Sequence, residues 1–356
     1  MKMIFRWFPN GDDSVQLHHI KQIPGVTGVA TALPHIPVGD VWPTGQILAV
    51  RDQITSAGLE MEVIESVNIH EDIKKGLPSR DLYISNYITT MKNLHEVGIR
   101  CICYNFMPVM DWIRSDLAEP LPDGSTAMSY RHDKILMLDP HTMAHSMING
   151  SNQFSLPGWE PERFSAMAED IEFYRNVSVD EYFENIAYFI RSVMPFADEY
   201  EIDFAVHSDD PPWPIFGLPK IINNASSIRR FLSLHPSKHN GIAFCTGSLG
   251  ADSANDLPNM IREFASAGRI PFAHLRNVKH TSPTDFHETA HLSGCGDLDM
   301  FEIVKALIDS GFDGYIRPDH GRMIWDETGR PGYGLYDRAL GSNYLQGLWE
   351  AVKKMS

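Results

Sequence analysis

The sequence has 356 residues, of which 43% are hydrophobic and 21% charged, and its formal net charge is −16 at neutral pH. This composition can form a sizeable core and excludes a globally disordered chain. The acidic balance argues against a nucleic-acid partner, which needs a basic face. The sequence also lacks the run of about 18 apolar residues that would predict a membrane span. Without a signal-peptide pattern or a dense cysteine framework, the chain is expected to be a reduced cytoplasmic protein.

Short apolar runs alternate with helical stretches along most of the chain. Eight runs are predicted to be strands: Met3–Phe8, Val26–Ala32, Glu60–Glu65, Arg100–Tyr104, Ile202–Val206, Gly241–Phe244, Ile270–Leu275 and Gly314–Ile316. Helices are predicted at Ser14–Gln22, Thr44–Ala57, Arg80–Val97, Ser178–Tyr200, Lys220–Leu234, Asp256–Gly268, Asp299–Gly311 and Arg338–Lys353. This alternation predicts a parallel α/β fold, and eight units predict a closed (β/α)8 TIM barrel as a single domain over residues 1–356.

Residues 106–177 interrupt the alternation after the fourth predicted strand. The segment is too long for a plain connection, so we interpret it as a largely helical insertion that could form a lid or a dimer element. It is rich in large apolar side chains: Phe106, Met107, Met110, Trp112, Met128, Met137, Met143 and Met147. Core packing is the default for such residues. A large apolar insertion on a barrel also makes a homodimer the expected assembly.

A potential metal ligand stands at or just beyond the end of each of the last four predicted strands. These residues are His207, Cys245, His274 and Asp319. Taken singly, each is better explained as a buried polar residue, a small hydrophobe or a helix cap. In a barrel, however, the carboxyl ends of the strands meet at one rim, where active sites lie. The four residues together therefore predict a divalent transition-metal site.

The ligand set leaves the identity of the metal open. A thiolate with two imidazoles suits Zn²⁺ or Fe²⁺, whereas Mn²⁺ prefers oxygen ligands. Four protein ligands would close a tetrahedral zinc site, while catalysis needs room for water or substrate. An ion that accepts five or six ligands leaves this room, which favours Fe²⁺ or Mn²⁺ if the protein is an enzyme.

Cationic side chains follow two of these strand ends. Arg276 and Lys279 come after His274, and Arg317 and Arg322 flank Asp319. A guanidinium group can hold a carboxylate through two parallel hydrogen bonds, so a small polyhydroxy anion is a suitable substrate class. The alternative for Lys279 or Arg322 is a solvated loop charge.

Two further side chains near the last strand can move protons. His320 and Tyr333 are candidates for general acid and base. Asn105, directly after the fourth predicted strand, is a further candidate for substrate contact. The polar segment 280–291 carries three histidines, most of which are expected at the surface.

Five sequence segments resemble the mannonate dehydratase family. They are Met-Ile-Phe-Arg-Trp-Phe at residues 3–8, His-Ser-Asp-Asp-Pro-Pro at 207–212, Cys-Thr-Gly-Ser-Leu-Gly at 245–250, His-Leu-Arg-Asn at 274–277 and Arg-Pro-Asp-His-Gly-Arg at 317–322. The family is similar in architecture to xylose isomerase-like barrels. The resemblance implies a lyase that dehydrates D-mannonate to 2-dehydro-3-deoxy-D-gluconate in glucuronate catabolism, with Mn²⁺ or Fe²⁺.

The resemblance also implies roles for individual residues. The family's metal ligands fall on His207, Cys245, His274 and Asp319, and its catalytic pair falls on His320 and Tyr333. Arg276 or Arg322 would then hold the substrate carboxylate, and the mechanism would need one proton acceptor and one proton donor. Which member of the catalytic pair is the acid and which the base is left open.

Two other functions remain as alternatives at this stage. A metal-dependent sugar isomerase or epimerase could use the same barrel, because one fold supports many reactions. Such sites rely on carboxylate-rich metal clusters, whereas this set contains a cysteine. A non-catalytic zinc-binding protein would hold its ion in a closed site without an acid/base pair nearby. An endonuclease on a related barrel is disfavoured by the net charge of −16.

Overall fold

A computed structural model describes residues 1–139, 151–152, 154, 156 and 166–355. Its twelve strands are β1 (Lys2–Arg6), β2 (Val26–Thr31), β3 (Glu60–Glu65), β4 (Cys101–Tyr104), β5 (Asp116–Pro120), β6 (Thr126–Tyr130), β7 (Asp203–His207), β8 (Asn240–Cys245), β9 (Phe272–Leu275), β10 (Asn277–Ser282), β11 (Asp285–Thr289) and β12 (Tyr315–Pro318). Eight of them close a barrel in the order β1-β2-β3-β4-β7-β8-β9-β12. Every pairing in the barrel is parallel, including the closing pair β12–β1. The predicted TIM barrel is confirmed.

Helices surround the barrel and connect most of its strands. They are α1 (Leu17–Lys21), α2 (Thr44–Ser56), α3 (Glu71–Lys75), α4 (Arg80–Glu96), α5 (His132–Leu136), α6 (Met167–Tyr174), α7 (Val179–Tyr200), α8 (Ala225–Leu232), α9 (Thr246–Gly250), α10 (Leu257–Ser266), α11 (Met300–Asp309) and α12 (Tyr336–Met355). Each of the eight predicted helices has a counterpart here. In the part of the chain that the structure describes, no helix is both long and apolar enough to cross a membrane.

Local sequence signals explain where these helices begin and end. Ser178 and Glu181 form a reciprocal capping box that satisfies the first backbone N–H groups of α7. Helix α4 ends before Gly98, whose φ of +93° is a left-handed conformation that glycine adopts without steric penalty. The long helices α4 and α7, whose ends these signals set, contact each other.

Two layers of apolar side chains hold the barrel together. Small and aromatic residues fill its interior: Ile4, Ala30, Val63, Cys101, Cys103, Ala205, Ala243, Phe272 and Tyr315. A larger cluster lies between the strands and the surrounding helices. The two cysteines of β4, Cys101 and Cys103, are buried. A filled interior leaves the carboxyl-terminal rim as the place for a site.

A second, antiparallel sheet corrects two of the expectations from sequence. It has the order β10-β11-β6-β5 and joins the insertion to the segment after β9. The prediction of a largely helical insertion was therefore wrong for residues 116–130, which form a β-hairpin. The segment after Leu275 is likewise a hairpin and not a polar loop. Phe286 of β11 pairs with Tyr130 of β6, and their rings stack with centroids 5.5 Å apart.

The described remainder of the insertion contains two short helices and several buried apolar side chains. Helices α5 and α6 lie within it. Of the large side chains singled out in the sequence, Phe106, Met107, Met110, Trp112 and Met128 are buried, Met137 is 83% exposed, and Met143 and Met147 lie outside the described residues. Core packing is thus confirmed for five of them. A role for the insertion as a lid or dimer element stays a prediction.

Candidate active site

Strand pairing brings the predicted metal ligands to one rim of the barrel. His207 and Cys245 are the last residues of β7 and β8, and His274 lies in β9 as the register partner of Cys245. Asp319 follows β12 directly. Because adjacent residues of parallel strands project to the same side, these side chains point toward a common space.

The distances between these side chains fit a shared ion. The ligand atoms of His207, Cys245 and His274 all lie within 4.8 Å of one another. Nε2 of His207 is 3.1 Å from Nδ1 of His274, and Sγ of Cys245 is 3.3 Å from Oδ2 of Asp319. Atoms that bind one ion at roughly 2 Å lie about 3 to 3.5 Å apart. The donor set also matches the chemistry of a divalent transition metal.

Neighbouring groups orient the two histidines. Nδ1 of His207 lies 2.7 Å from the backbone carbonyl of Ser208, so Nδ1–H donates to this carbonyl and Nε2 is directed toward His274. The other nitrogen of His274, Nε2, is buried without a hydrogen-bond partner among the described residues. This nitrogen lies on the side of Glu65, 3.7 Å from Oε2 of that carboxylate.

Burial and neighbouring charges shift the pKa values of His207, His274 and Asp319 in different directions. Burial alone would lower the pKa of His207, but Cys245 and the Asp319 carboxylate raise it to about 9. Burial, and after it the guanidinium of Arg317, holds the pKa of His274 well below its usual range. Burial opposes ionisation of Asp319, yet Arg317 and other cationic neighbours hold its pKa well below the ordinary value. Asp319 is therefore an ionised acceptor at neutral pH.

A second group of potential ligands shares His274. Glu65 and Cys103 approach this histidine closely enough to hold an ion with it. However, Arg317 already binds Glu65 through two hydrogen bonds of 2.8 and 3.0 Å. The same guanidinium lies 3.3 Å from Nδ1 of His274. Because Arg317 already pairs the Glu65 carboxylate, the set that includes His207 and Cys245 is the better candidate.

The predicted acid/base pair lies beside the ligand set. Nε2 of His320 is 3.1 Å from the Tyr333 hydroxyl, and Nδ1 of His320 is 3.3 Å from Oε1 of Glu288. Nε2 of His320 also lies 3.9 Å from Asp319. Burial raises the pKa of Tyr333 to about 12, although nearby Arg317 opposes this. The phenol therefore stays protonated at neutral pH.

A buried network of charges supports this region from the side of the accessory sheet. Arg114 donates to Asp210 at 2.7 and 3.0 Å and to Glu288 at 2.8 Å. Arg276 contacts the same two carboxylates and lies 2.8 Å from Asp319. Burial opposes ionisation of Glu288, but Arg276 and Arg114 hold its pKa well below the ordinary range. The network fixes the carboxylate that faces His320.

One pocket of about 520 Å³, including the solvent at its mouth, contains most of these groups. The candidate residues that line it are Asn105, His207, Arg276, Asp319, His320 and Tyr333. Cys245 and His274 lie fully buried behind this wall. Asn105 donates to Asp111 at 3.1 Å.

Two cationic candidates lie elsewhere. Arg322 pairs with Asp337 at 3.0 Å and with Asp123 at 2.7 Å, and it is not among the residues that line the pocket. Lys279 forms an exposed pair with Asp297. The structure thus separates Arg322 and Lys279 from the other candidates, whereas Arg276 stays at the pocket.

Several residues of the pocket wall and of the charge network beside it were not singled out in the sequence. Asp210 lies within the motif that begins at His207, so its position beside a ligand was a usable signal. Glu65 ends a predicted strand in the same way as the ligands do. Arg114 and Glu288 had no local signal, because their roles depend on contact between two hairpins far apart in the chain. Arg6, at the end of β1, also lines the pocket.

Comparison with known proteins agrees with this geometry. A family model described as D-mannonate dehydratase (UxuA) matches residues 1–356. A mannonate dehydratase from Thermotoga petrophila is 54% identical over 355 residues, covering 100% of this chain and 99% of that protein. A crystal structure of mannonate dehydratase from Streptococcus suis serotype 2 has a TM-score of 0.90 and 46% identity, covering 100% of this chain and 95% of that chain. A xylose isomerase domain protein from Alicyclobacillus acidocaldarius shares the fold alone, with a TM-score of 0.58, 12% identity and 99% of each chain covered. The chain therefore belongs to the D-mannonate dehydratase (UxuA) family.

Proposed function

We propose that the protein is a hydro-lyase that converts D-mannonate into 2-dehydro-3-deoxy-D-gluconate and water. The observation that carries this proposal is the His320–Tyr333 pair, 3.1 Å apart, in the pocket whose wall also holds His207 and Asp319. Dehydration needs a proton acceptor at C2 and a proton donor at the C3 hydroxyl, and the pair can supply both. Family membership over the whole chain supports the same reaction.

We infer that Mn²⁺ or Fe²⁺ is the resident ion, held by His207, Cys245, His274 and Asp319. When bound, such an ion acts as a Lewis acid toward substrate oxygens and stabilises the negative charge that develops after C2 loses its proton. An ion with five or six coordination positions leaves room for the substrate beside four protein ligands, which a tetrahedral zinc site would not.

The hydrogen-bond geometry supports an assignment of the two proton transfers. If Nδ1–H of His320 donates to Glu288, Nε2 carries the lone pair that can accept the proton from C2. The protonated phenol of Tyr333 then donates its proton to the hydroxide that leaves C3, which departs as water. The short distance between His320 and Tyr333 lets the imidazolium return its proton to the phenolate, and the enol product becomes the 2-keto acid. The pair ends in its starting state.

The test uses protein treated with a chelator and reloaded with Mn²⁺, with D-mannonate and its C2 and C3 epimers as substrates. Formation of a 2-keto acid from D-mannonate is the expected result, and its absence would overturn the proposed reaction. His320→Asn and Tyr333→Phe are each expected to reduce turnover on the order of 100-fold or more. Near-normal turnover in either variant, with metal retained, would remove that residue from the mechanism.

Isotope exchange separates the roles of the two residues. In D₂O, Tyr333→Phe is expected to exchange the C2 hydrogen of recovered D-mannonate while forming little product. His320→Asn is expected to show neither exchange nor product. Exchange at the wild-type rate in His320→Asn would contradict its assignment as the proton acceptor at C2.

We also infer that the protein is a homodimer and acts in the cytoplasm, in the breakdown of glucuronate that this reaction implies. An exposed apolar cluster supports self-association. Trp325 and Tyr336 are 67% and 42% exposed with their rings 5.6 Å apart, and Leu340, one helical turn along α12, is 45% exposed. Sedimentation velocity at micromolar concentration is expected to give the mass of two chains, and a single-chain mass would contradict the dimer.

A further inference from the structure

Arg6 is a buried arginine on the wall of the catalytic pocket. It is the last residue of β1 and only 3% exposed. It lines the pocket that holds His320 and Tyr333 and also a neighbouring cavity of about 910 Å³. Ser66 is shared between the two cavities in the same way. Arg6 therefore lies at the boundary between the two cavities.

The contacts of Arg6 differ from those of the other arginines at the pocket. Its guanidinium donates to two backbone carbonyls, those of Trp7 at 2.8 Å and Ala30 at 3.2 Å. Within the described part of the chain, no carboxylate comes within 4.0 Å of it. Arg276, by contrast, contacts Asp210, Glu288 and Asp319. Arg317 contacts Glu65 and Asp319.

A buried cation without a carboxylate partner is unfavourable unless another anion compensates it. Burial lowers the pKa of Arg6 to about 10, although Glu65 opposes this shift from a longer distance. Arg6 therefore stays charged at neutral pH. The aromatic ring of Phe8 lies 4.1 Å from its guanidinium carbon, which is a weaker form of compensation than a carboxylate. Among the described residues, this positive charge on the wall of the pocket has no carboxylate within 4.0 Å.

We propose that Arg6 binds the carboxylate of the substrate, a role that the sequence had assigned to Arg276 or Arg322. This proposal rests on the proposed dehydration of a sugar acid. Arg6 and the catalytic Tyr333 contact the same aromatic side chain. The ring of Phe8 packs on the Arg6 guanidinium and on the ring of Tyr333, and the two ring centroids are 5.2 Å apart. A carboxylate at Arg6 places the adjacent C2 next to the acid/base pair. The fork of two N–H donors suits a carboxylate better than a hydroxyl group.

The experiment compares Arg6→Gln and Arg6→Lys with wild-type protein, all loaded with Mn²⁺. Arg229→Gln is the matched control, since Arg229, on α8, forms an exposed ion pair with Glu263, on α10. Two constants are measured for each protein. The first is the KM for D-mannonate. The second is the inhibition constant of D-mannonamide, an uncharged amide of the same shape, or the KM for D-mannonamide if the enzyme turns it over. Circular dichroism and metal content verify that each variant is folded and loaded.

Arg6→Gln is expected to raise the KM for D-mannonate on the order of 10- to 100-fold and to change the constant for D-mannonamide by less than about threefold. Arg6→Lys, which keeps the charge but not the fork, is expected to fall between wild type and Arg6→Gln. A purely structural role would weaken both ligands equally, and this outcome would overturn the proposal. An unchanged KM in either folded variant would overturn it too. If Arg6→Gln does not fold, the comparison of the two constants in Arg6→Lys decides.

Wild-type turnover keeps this test separate from that of the reaction. If the wild-type protein does not dehydrate D-mannonate, the proposed function fails, whatever the variants do. If the wild-type protein dehydrates D-mannonate and the Arg6 variants prefer D-mannonate over D-mannonamide as strongly as wild type does, only the assignment of Arg6 fails. Arg229→Gln is expected to match wild type in both constants.

Discussion

Glu288→Gln is expected to destabilise the protein strongly, although it replaces only one oxygen by an amide group. Oε1 of Glu288 lies 2.8 Å from Arg114 and contacts Arg276, and the carboxylate side chain is 0% exposed. Without the charge of Glu288, Arg114 keeps Asp210 as a carboxylate partner, and Arg276 has to share Asp210 and Asp319 with other cations. Removing one partner of a buried ion pair costs about 3–5 kcal/mol. This is a large share of the roughly 5–15 kcal/mol that stabilises a typical domain.

Urea denaturation at pH 7, followed by tryptophan fluorescence, measures the free energy of unfolding of the variant and wild type. Glu263→Gln is the control with the same chemical change, since Glu263 is 40% exposed in its pair with Arg229. We expect this control to match wild type within error. The double variant Arg114→Met with Glu288→Gln restores charge balance and should lose less stability than the sum of its single variants. Two results would show that the buried charge network does not stabilise the protein. One is a loss of unfolding free energy below about 1 kcal/mol for Glu288→Gln, and the other is strictly additive effects of Arg114→Met and Glu288→Gln in the double variant.

Two further predictions concern packing and pH. A Cβ on Gly247 would lie 2.2 Å from Nε of Arg276, so Gly247→Ala should destabilise the protein by about 1–3 kcal/mol and lower turnover. Gly347→Ala meets no atom within 4 Å and should be neutral or stabilising by up to about 1 kcal/mol; equal urea midpoints for the two variants would contradict this reasoning. Burial opposes ionisation of Glu65, but Arg317 and other neighbours lower its pKa to about 2. Its stabilisation, roughly 3 kcal/mol, is therefore complete above about pH 5 and lost as the pH falls toward 2. Urea unfolding at pH 5, 4 and 3 should give a shallower pH slope for Glu65→Gln than for wild type, and identical slopes would exclude this contribution.

The barrel was predictable because its signals are local. The run Glu60–Glu65 was predicted with its observed ends, since a short apolar strand lies between turn residues. The positions of His207 and Cys245 followed from one rule, because the carboxyl ends of parallel strands meet at one rim. Their convergence is a consequence of the fold.

The accessory sheet and the charge network were not predictable in the same way. Strand β10 is polar and mostly faces solvent at its far end, so it has no apolar pattern, and its sheet includes strands that lie about 150 residues earlier in the chain. The roles of the arginines depend on their partners and not on their neighbours in sequence. Arg322 is close to Asp319 and His320 in sequence, but it binds Asp337 and does not line the catalytic pocket. Arg6, from the opposite end of the chain, does line this pocket.

The central claim is that one ion held by His207, Cys245, His274 and Asp319 is required for dehydration. Equilibrium dialysis with Mn²⁺, combined with the D-mannonate assay on the same samples, tests it most directly. Chelated wild-type protein is expected to be inactive, to bind about one ion per chain and to regain activity in proportion to the ion bound. His207→Asn is expected to bind Mn²⁺ at least tenfold more weakly and to stay inactive at a concentration that saturates wild type. Full activity without metal, or wild-type affinity in His207→Asn, would contradict the assignment of this site.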